Sequence, residues 1–584
     1  MQFLRSTQEL GELAANIGSL VLANAARRGS APAFAERNGR NYRCVSWARL
    51  GADLGRIAAW LSALPGADDG DGRRVAFIAG NGYVRHVCEL AVMASGRVSV
   101  PIFAGYPAPL MAELLRFAAV ELLVTDQPDK VLALDPACLP ARIVLLRRPD
   151  SPVPAALAER LLDLSQVLAH PLRRDARSRI ETTMHAVPAA RGCLIMFTSG
   201  TSGLPKGVQL SHANLLSQQQ ALRLLWKPRP GLRLLSYLPW HHSFGGLFER
   251  FFAVASGGCI AVEDGGGKDI ARLLENFALV RPHVFFSVPK IYQEIAVRAQ
   301  ADAAVERIVF HRQLQFVFTA AAPLPLSASN VFRQHGIPVV EGWGLTETSP
   351  CCTLTPRQLD RTPGVVGFPI PGVELACADD GEILVRGANV MRGYFRNEVA
   401  TGAAFTADGW FRTGDIGQFG GEGLRILSRK ERMFKLANGE KVFPAQIEAR
   451  IHTRCPFVKY AYVFGSGQRH PHLLVFPSRE AFAAGACAGG DDCAHPQGPA
   501  QLACCLASCL ADINVQQATG YEAIRRALVV GRELSIEDNE LTPSFKLVPR
   551  RIEERYADCI RAMEDDRYDR LPEGVYVLEL EPRR

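Results

Sequence analysis

The chain has 584 residues, of which 48% are hydrophobic and 21% charged, and its formal net charge is +7 at pH 7. This length predicts at least two domains with large cores, and this composition excludes a disordered or fibrous protein. Because the small positive charge is carried by scattered arginines, it argues against a nucleic-acid-binding protein, which needs a concentrated basic face. It leaves open a weak affinity for membrane surfaces.

Residues 1–30 have apolar residues at helical spacing, interrupted by Glu9, Glu12 and Asn16. These polar residues argue against a signal peptide, so we expect a helix that packs on the first domain. No run of about 18 apolar residues predicts a membrane-spanning helix. The 15 cysteines show no repeated C-x-x-C pattern, which favours reduced thiols in a cytoplasmic enzyme.

Between residues 45 and 350, short apolar runs alternate with longer amphipathic stretches. The runs include RVAFIAG at 74–80, GCLIMFTS at 192–199 and LQFVFTA at 314–320. This alternation is typical of an α/β fold in which helices cover mostly parallel strands. We therefore predict doubly wound sheets in a large N-terminal domain.

A loop rich in glycine and hydroxyl groups, FTSGTSGLPKGV at 197–208, follows one of these strands. Its backbone N–H groups, its hydroxyls and Lys206 suit an anion with several oxygens, such as a nucleotide phosphate. It is not the common P-loop, because Lys206 is followed by Gly207 rather than by Ser or Thr. A surface turn without a ligand is the alternative for this loop taken alone.

Four further segments place polar residues among glycines or aromatic residues: YLPWHHSFGGLFE at 237–249, EGWGLTETSP at 341–350, WFRTGDIGQF at 410–419 and SRKERMFKLANGEKVFPAQIEARI at 428–451. The two histidines of the first segment also fit buried core positions. Between about 365 and 427, short apolar runs with glycine turns predict a small antiparallel or barrel-like unit.

After Arg429 the pattern changes to α+β, with helical IEARIHTR and IEERYADCIRAME and strand-like VKYAYVFGS and HLLVFPS. We predict an N-terminal domain of residues 1–428 and a small C-terminal domain of residues 429–584. Lysine is rare in this arginine-rich chain, so Lys206, Lys435 and Lys546 indicate places that need a compact ammonium group.

A cysteine-rich segment lies in the predicted C-terminal domain, with Cys487, Cys493, His495, Cys504, Cys505 and Cys509. Its spacing matches no common zinc module, and its Gly-, Pro- and Ala-rich surroundings predict a loop-like, dispensable insertion. A metal site is the alternative.

The order of the segments resembles the adenylate-forming superfamily, which contains acyl-CoA synthetases, peptide-synthetase adenylation domains and luciferases. The shared order is the hydroxyl-rich loop, P-x-x-H, G-[YW]-G-x-T-E, T-G-D, R-K-x-R, K-x-x-x-G and a late P-x-x-K, and it extends from about residue 20 to 563. The resemblance implies that a carboxylate attacks the α-phosphorus of ATP and releases pyrophosphate, after which a thiol displaces AMP. It also implies a mobile C-terminal domain.

The same resemblance implies a role for each site residue. The β- and γ-phosphates of ATP would be held by Thr198, Ser199, Gly200, Thr201, Ser202, Gly203 and Lys206. Trp343, between Gly342 and Gly344, would stack on adenine, Thr346 would contact the α-phosphate, and Glu347 would bind Mg²⁺. Asp415 would accept both ribose hydroxyls with help from Arg429, since a carboxylate offers two oxygens to a diol.

The remaining implied roles concern the C-terminal domain. Lys546 would be the catalytic lysine that neutralises the carboxylate as it meets the phosphate, and Lys435 would act in the same adenylation conformation. The domain would rotate about Glu431 between the half-reactions, and Gly439 would then line the pantetheine tunnel. The chain departs from the family pattern at Ser202, Trp343 and Glu431, where the family usually has Thr, Tyr and Asp or Lys.

The same resemblance implies the class of substrate. His242, which we place among the catalytic residues, stands where amino-acid-activating relatives keep an Asp, so an amino acid is disfavoured. The segment LPWHHSFGG is most similar to the corresponding segment of fatty acyl-CoA and aryl-acid CoA ligases. We expect a fatty acid, ATP, Mg²⁺ and coenzyme A, with a hydroxycinnamate-type acid as the alternative substrate and an acyl carrier protein as the alternative acceptor. Coenzyme A is preferred because GQFGGEGLRILSR at 417–429 leaves little room for the insertion of acyl-AMP ligases.

Overall fold

The structure is a computed structural model that describes residues 2–65, 72–169, 172–198, 204–320, 324–360, 362, 364–455, 457–478, 496, 498–515, 520–535, 537–541, 547–568 and 571–579. The chain divides into two compact units. Unit 1 comprises Met1–Ala378, Leu384–Thr413 and Phe419–Arg425, and unit 2 comprises Asp379–Ile383, Gly414–Gln418 and Ile426–Arg584.

The strands are, in chain order, β1 (Gln2–Arg5), β2 (Pro32–Asn38), β3 (Asn41–Ser46), β4 (Arg74–Ile78), β5 (Val98–Pro101), β6 (Leu122–Thr125), β7 (Arg142–Leu145), β8 (Leu161–Leu162), β9 (Gly192–Thr198), β10 (Lys206–Ser211), β11 (Arg233–Ser236), β12 (Cys259–Val262), β13 (Val284–Ser287), β14 (Phe316–Thr319), β15 (Val339–Trp343), β16 (Thr353–Leu354), β17 (Val365–Pro369), β18 (Val373–Cys377), β19 (Glu382–Gly387), β20 (Gly393–Tyr394), β21 (Phe411–Gly420), β22 (Gly423–Arg429), β23 (Phe434–Lys435), β24 (Lys441–Val442), β25 (Val458–Phe464), β26 (His472–Pro477), β27 (Arg526–Val530) and β28 (Val575–Glu579).

The α-helices are α1 (Ile17–Arg28), α2 (Trp47–Ala63), α3 (Tyr83–Ala94), α4 (Ala108–Ala118), α5 (Pro128–Leu132), α6 (Ala155–Ala158), α7 (Leu164–Ala169), α8 (Arg174–His185), α9 (His212–Trp226), α10 (Arg250–Ala255), α11 (Ile270–Val280), α12 (Pro289–Ala301), α13 (Ala303–Val309), α14 (Leu326–Gln334), α15 (Glu398–Ala404), α16 (Pro444–Arg454), α17 (Pro499–Val515), α18 (Pro549–Arg555) and α19 (Ala557–Glu564). A π-helix, Phe244–Glu249, precedes α10, and a 3₁₀ turn, Thr346–Thr348, follows β15.

Unit 1 contains an eight-stranded sheet in the order β20-β10-β9-β5-β4-β6-β7-β8. Strands β4 to β7 pair in parallel, whereas β9 and β10 form an antiparallel pair in which Thr198 faces Lys206. Strand β20 is antiparallel to β10 and sets Tyr394 opposite Val208. Strand β10, which begins at Lys206, therefore lies beside the short strand that carries Tyr394.

A second sheet of unit 1 is parallel in the order β2-β12-β11-β13-β14-β15. The segment EGWGLTETSP begins within β15, so its polar residues follow the carboxyl end of a parallel strand, where α/β folds bind ligands. Beyond β15, the strands β16 and β17 pair antiparallel, as does β17 with β22. The predicted α/β fold and the antiparallel strands after residue 365 are confirmed.

Residues 1–30 do not form one helix. The helix α1 begins only at Ile17, and β1 instead pairs antiparallel with β18, with Gln2 opposite Cys377 and Arg5 opposite Glu374. Helical spacing in the sequence could not reveal this strand, because its hydrogen-bonding partner lies far away along the chain.

Unit 2 is built on a four-stranded sheet, in the order β25-β26-β27-β28, with a buried cluster on each face. One cluster packs α16 and α17 against the sheet, and the other contains residues of α18 and α19. The predicted helix of IEARIHTR and the predicted strands of VKYAYVFGS and HLLVFPS are confirmed. The segment IEERYADCIRAME was predicted as one helix, but it contributes to two, α18 and α19, which are separated at Tyr556. The edge strand β28 was not predicted.

The cysteine-rich segment is not a loop throughout. From Pro499 it forms α17, in which Leu502, Leu506 and Leu510 are fully buried in the core of unit 2. The prediction of a dispensable loop is therefore wrong for residues 499–509, because leucines at helical spacing bury one face of the helix. Cys487, Cys493 and His495 lie outside the described residues.

Candidate functional site

The hydroxyl-rich loop is anchored by the two strands that flank it. Thr198 ends β9 and Lys206 begins β10, and the Thr198 hydroxyl donates to the Lys206 carbonyl at 3.4 Å. The side chain of Lys206 lies over the ring of Tyr394, with Nζ 4.9 Å from the ring centroid. Ser199, Gly200, Thr201, Ser202 and Gly203 lie outside the described residues.

Tyr394 links this loop to the T-E pair of the GWGLTE segment. Its hydroxyl donates to Oε1 of Glu347 at 2.9 Å, and both side chains are at least nine-tenths buried. Burial and the Glu347 charge raise the pKa of Tyr394 well above its ordinary value, so the phenol stays protonated and acts as a donor. The backbone is fixed as well, because the N–H of Met391 donates to the Glu347 carbonyl at 2.7 Å.

The turn that carries Thr346 and Glu347 is folded tightly against its own continuation. A side chain at Gly344 would bring Cβ within 1.9 Å of the Pro350 carbonyl oxygen, so only glycine fits there. The Thr348 hydroxyl accepts from the N–H of Leu345 at 2.9 Å. This packing fixes where Glu347 points, and it gives Gly344 a structural reason independent of any ligand.

Trp343 and Thr346 lie at the surface end of β15, and both are partly exposed. Trp343 ends the strand opposite Thr353, and the Thr346 hydroxyl donates to Ser243 Oγ at 3.2 Å. Ser243 belongs to the LPWHHSFGG segment, so this hydrogen bond joins two residues that are 103 positions apart in the sequence. Neither Ser243 nor Tyr394 could be predicted as a site residue from the sequence, because each gains its importance only from a contact across the fold.

The two histidines of that segment have different surroundings. His242 is partly exposed, and its Nδ1 accepts from the N–H of Phe244 at 3.3 Å, which leaves the proton of a neutral ring on Nε2. His241 packs against Phe103, with ring centroids 4.5 Å apart, and burial together with the nearby Arg85 lowers the pKa of His241 to about 3. His241 therefore stays neutral at physiological pH.

Unit 2 holds Gly414 and Asp415 of the T-G-D motif and the residues of R-K-x-R. Arg429 Nε contacts Asp415 Oδ1 at 2.9 Å, and the Asp415 side chain is only 5% exposed. Lys430 Nζ lies 2.7 Å from Asp380 and 2.8 Å from Glu382. These ion pairs tie the end of β22 to neighbouring residues of the same unit and orient the Asp415 carboxylate.

The segment after these ion pairs is exposed. Glu431 lies in a turn in which the N–H of Met433 donates to the Arg429 carbonyl at 3.0 Å. Lys435 is exposed and pairs with Lys441 in the β23–β24 hairpin. Gly439 closes this hairpin with a φ of +83°, and a Cβ there would meet nothing within 4 Å.

The site residues of unit 1 thus form one group. In this group Lys206 and Glu347 both contact Tyr394, Thr346 is next to Glu347, and Ser243 joins it to the His242 segment. In unit 2, Asp415 and Arg429 form a second group. Lys546 lies outside the described residues.

Comparison with known proteins identifies two families along the chain. Residues 21–395 match the model of the AMP-binding enzyme family, and residues 431–567 match that of the AMP-binding enzyme C-terminal domain. Within the described residues, no helix is both long enough and apolar enough to cross a membrane.

Several relatives are similar over most of the chain. A long-chain-fatty-acid–CoA ligase, FadD15 of Mycobacterium bovis, is 29% identical over 84% of this chain and 88% of its own length. The peroxisomal long chain acyl-CoA synthetase 7 of Arabidopsis thaliana is 29% identical over 63% of this chain and 60% of its own length.

Solved structures share the fold at lower identity. The adenylation domain of carboxylic acid reductase from Segniliparus rugosus, in complex with AMP and a carboxylic acid, superposes with a TM-score of 0.72 at 19% identity and covers 95% of each chain. ATP-bound MatB from Rhodopseudomonas palustris has a TM-score of 0.69 at 23% identity, covering 94% of this chain and all of MatB (100%).

Proposed function

Because this chain belongs to the AMP-binding enzyme family, we propose that it is an acid–thiol ligase that activates a fatty acid with ATP and passes the acyl group to coenzyme A. The proposal rests on one observation: Lys206 and Glu347 both contact Tyr394. A cation at the hydroxyl-rich loop and a buried carboxylate beside it supply what a magnesium-bound triphosphate needs from a protein.

In the first half-reaction, a carboxylate oxygen of the acid bonds to the α-phosphorus of ATP, and the bond from that phosphorus to the pyrophosphate oxygen breaks. Thr198, Lys206 and the loop between them would hold the departing pyrophosphate, and Thr346 would donate to the α-phosphate. Lys546 would offset the charge where two anions meet, which is the largest electrostatic demand of this step.

The Mg²⁺ prediction is consistent with the surroundings of Glu347. Its Oε1 accepts from Tyr394, and no ion pair or hydrogen bond from a described residue engages Oε2. Mg²⁺ is bound in such sites through one or two carboxylates plus substrate phosphates. When bound there, Mg²⁺ would neutralise part of the triphosphate charge.

Asp415 supports the assignment of the ribose site. Its carboxylate is buried and held by Arg429, so it can accept hydrogen bonds from both hydroxyls of a diol without reorienting. Trp343 is partly exposed at the end of β15, which would let a purine ring stack on its indole. His242, whose Nε2 carries the proton of the neutral ring, would serve as a donor near the acid.

In the second half-reaction, the sulfur of coenzyme A bonds to the acyl carbon and AMP leaves. We propose domains of residues 1–428 and 429–584 that rotate about Glu431 between the two steps. The exposed turn at Glu431 lies between anchored neighbours, since Lys430 pairs with Glu382 and Arg432 with Glu448 at 2.6 Å. An exposed residue between two paired ones is where a backbone rotation would be absorbed.

The choice of a fatty acid is supported by the relatives, because the M. bovis and A. thaliana proteins are both named for long-chain acyl substrates. Coenzyme A as the acceptor is supported by the same names. A cytoplasmic location and a weak contact with membrane surfaces belong to the same proposal.

The test is release of pyrophosphate by the purified protein over a panel of carboxylic acids, each with and without coenzyme A. We expect the highest kcat/KM for acids of long aliphatic chain, with turnover that depends on coenzyme A. Highest activity with a hydroxycinnamate would favour the aryl-acid alternative, and transfer only to an acyl carrier protein would favour the other acceptor. Absence of acid-dependent pyrophosphate release would contradict the proposal.

A further inference from the structure

Tyr394 occupies a position that the family motifs of the sequence analysis do not include. The ammonium group of Lys206 lies over the Tyr394 ring, and the Tyr394 hydroxyl donates a hydrogen bond to Glu347. It belongs to β20, a two-residue strand that pairs with β10, the strand in which Lys206 is the first residue. One side chain thus touches both charged groups of the proposed triphosphate site in unit 1.

The contacts of Tyr394 fix it from three directions. Its N–H donates to Thr401 Oγ1 at 2.9 Å, its backbone pairs with Val208, and only 8% of the residue is exposed. Thr401 in turn donates to the Asn397 carbonyl at 2.8 Å. A residue held so firmly can orient a partner, because little conformational entropy is left to lose when the partner binds its ligand.

The hydrogen bond to Glu347 has a directional consequence. Since the phenol donates to Oε1, it holds the carboxylate at one oxygen and directs the other, Oε2, to a defined position. Outer hydrogen bonds of this kind orient metal-binding carboxylates, and their removal typically weakens metal binding by about 10- to 100-fold.

The contact with Lys206 has a separate consequence. An ammonium over an aromatic face is attracted by the ring's quadrupole, so the ring holds Lys206 beside the loop when no phosphate is present. The ring and the hydroxyl therefore act on different partners, and one can be removed without the other.

We propose that Tyr394 is a positioning residue for the Mg²⁺–ATP site, which orients Glu347 through its hydroxyl and holds Lys206 through its ring. This inference rests on the proposed function. Tyr394→Phe removes only the contact with Glu347, and Tyr394→Leu removes both contacts.

The primary measurement is the affinity of Mn²⁺, titrated by electron paramagnetic resonance in the presence of α,β-methylene-ATP, which does not require turnover. Tyr394→Phe should weaken Mn²⁺ binding by about 10-fold or more. In the pyrophosphate assay, the Mg²⁺ concentration for half-maximal rate should rise by a similar factor, while kcat at saturating Mg²⁺ stays within about 3-fold of wild type. Tyr394→Leu should in addition raise the KM for ATP.

Tyr42→Phe is the matched control. Tyr42 is also a largely buried phenol of unit 1, and it donates to Asn276 Oδ1 at 2.6 Å, in a contact that involves no proposed site residue. Its loss should leave Mn²⁺ affinity unchanged. Thermal unfolding of each variant shows whether a loss of affinity reflects loss of folded protein.

A double-mutant cycle with Glu347→Gln tests whether Tyr394 acts through that carboxylate. If it does, adding Tyr394→Phe to Glu347→Gln should weaken Mn²⁺ binding less than 2-fold further, because coupled residues are not additive. Wild-type Mn²⁺ affinity in Tyr394→Phe, or fully additive losses in the cycle, would overturn the inference while leaving the proposed function standing. Absence of acid-dependent pyrophosphate release from the wild type would instead contradict the proposed function.

Discussion

The Glu347 carboxylate is buried and accepts one side-chain hydrogen bond from a described residue, and burying its charge is costly unless a positive group is supplied. The residue is 9% exposed, and its described side-chain partner is the neutral phenol of Tyr394. Buried carboxylates are normally paired with a cation or a metal ion. The burial of Glu347 beside a neutral partner therefore favours a metal ion at this residue, as the proposed function requires.

Replacing Glu347 tests directly whether this carboxylate holds a metal ion. Glu347→Ala should reduce acid-dependent pyrophosphate release by about 10² or more, the scale expected when charge stabilisation is removed from a transition state. The measurement is kcat as a function of Mg²⁺ concentration. Wild-type turnover of the variant at saturating Mg²⁺ would show that Glu347 does not hold the metal.

Cys509 carries a second prediction at the scale of one residue. A hydrogen bond from Cys455 and the charge of Arg454 lower the pKa of Cys509, although burial acts in the opposite direction. A lowered thiol pKa favours the thiolate, which is the nucleophilic form, so alkylation by iodoacetamide should increase with pH around a midpoint below that of an ordinary thiol.

The measurement is mass spectrometry of the peptide that contains Cys509 after brief alkylation at a series of pH values. Cys455→Ala should move the midpoint toward the value of an ordinary thiol, about 8.5. A midpoint that does not respond to this substitution would exclude Cys455 as the cause.

At the scale of elements, α17 corrects the interpretation of its own sequence. The segment PAQLACCLASCLADINV contains several residues that are typical of a loop-like insertion. Its leucines Leu502, Leu506 and Leu510, however, recur every four positions and are fully buried. Arg454 of α16 contacts Asp512 of α17 at 2.8 Å, which also joins the two helices. The helix is part of the core of unit 2.

Truncating one of these leucines should therefore destabilise the protein. Leu506→Ala should lower the free energy of unfolding of unit 2 by about 2–5 kcal/mol, the usual cost of such a cavity. Val515→Ala is the matched control, because Val515 ends the same helix and is 69% exposed, so its effect should stay within about 0.5 kcal/mol. Equal effects in denaturant unfolding would argue against a core role for α17.

Some elements were predictable from the sequence and some were not, for a physical reason. Apolar runs such as RVAFI and FVFT fill buried strands, so their pattern alone reveals them. The strands β1 and β28 are edge strands whose pairing depends on distant partners. The pairing of Tyr394 with Glu347 likewise joins residues 47 positions apart, and nothing in either segment indicates the other.

For the whole molecule, rotation of the C-terminal domain between the two half-reactions requires that a variant can impair either half-reaction alone. Lys546→Ala should lower acyl-adenylate formation by about 10² or more and leave conversion of a supplied acyl-adenylate to the thioester largely intact. Gly439→Leu should do the reverse, and Glu431→Pro should resemble it, because proline removes the torsional freedom that rotation needs.

Gly439 needs a control because its φ of +83° disfavours any side chain. Gly467 provides one, since it has a φ of +75° and a Cβ there would also meet nothing within 4 Å. Gly467→Leu should carry a similar backbone strain without affecting thioester formation. If Lys546→Ala and Gly439→Leu impair the same half-reaction, the rotating-domain account fails.

The central claim is that this chain joins a fatty acid to coenzyme A at the expense of ATP, and product stoichiometry tests it most directly. Purified protein is incubated with palmitate, ATP, Mg²⁺ and coenzyme A, and the products are quantified by mass spectrometry. We expect equal amounts of palmitoyl-CoA, AMP and pyrophosphate, with palmitoyl-AMP accumulating when coenzyme A is omitted. Formation of ADP and phosphate, or the absence of palmitoyl-CoA and of every other acyl thioester across the acid panel, would contradict it.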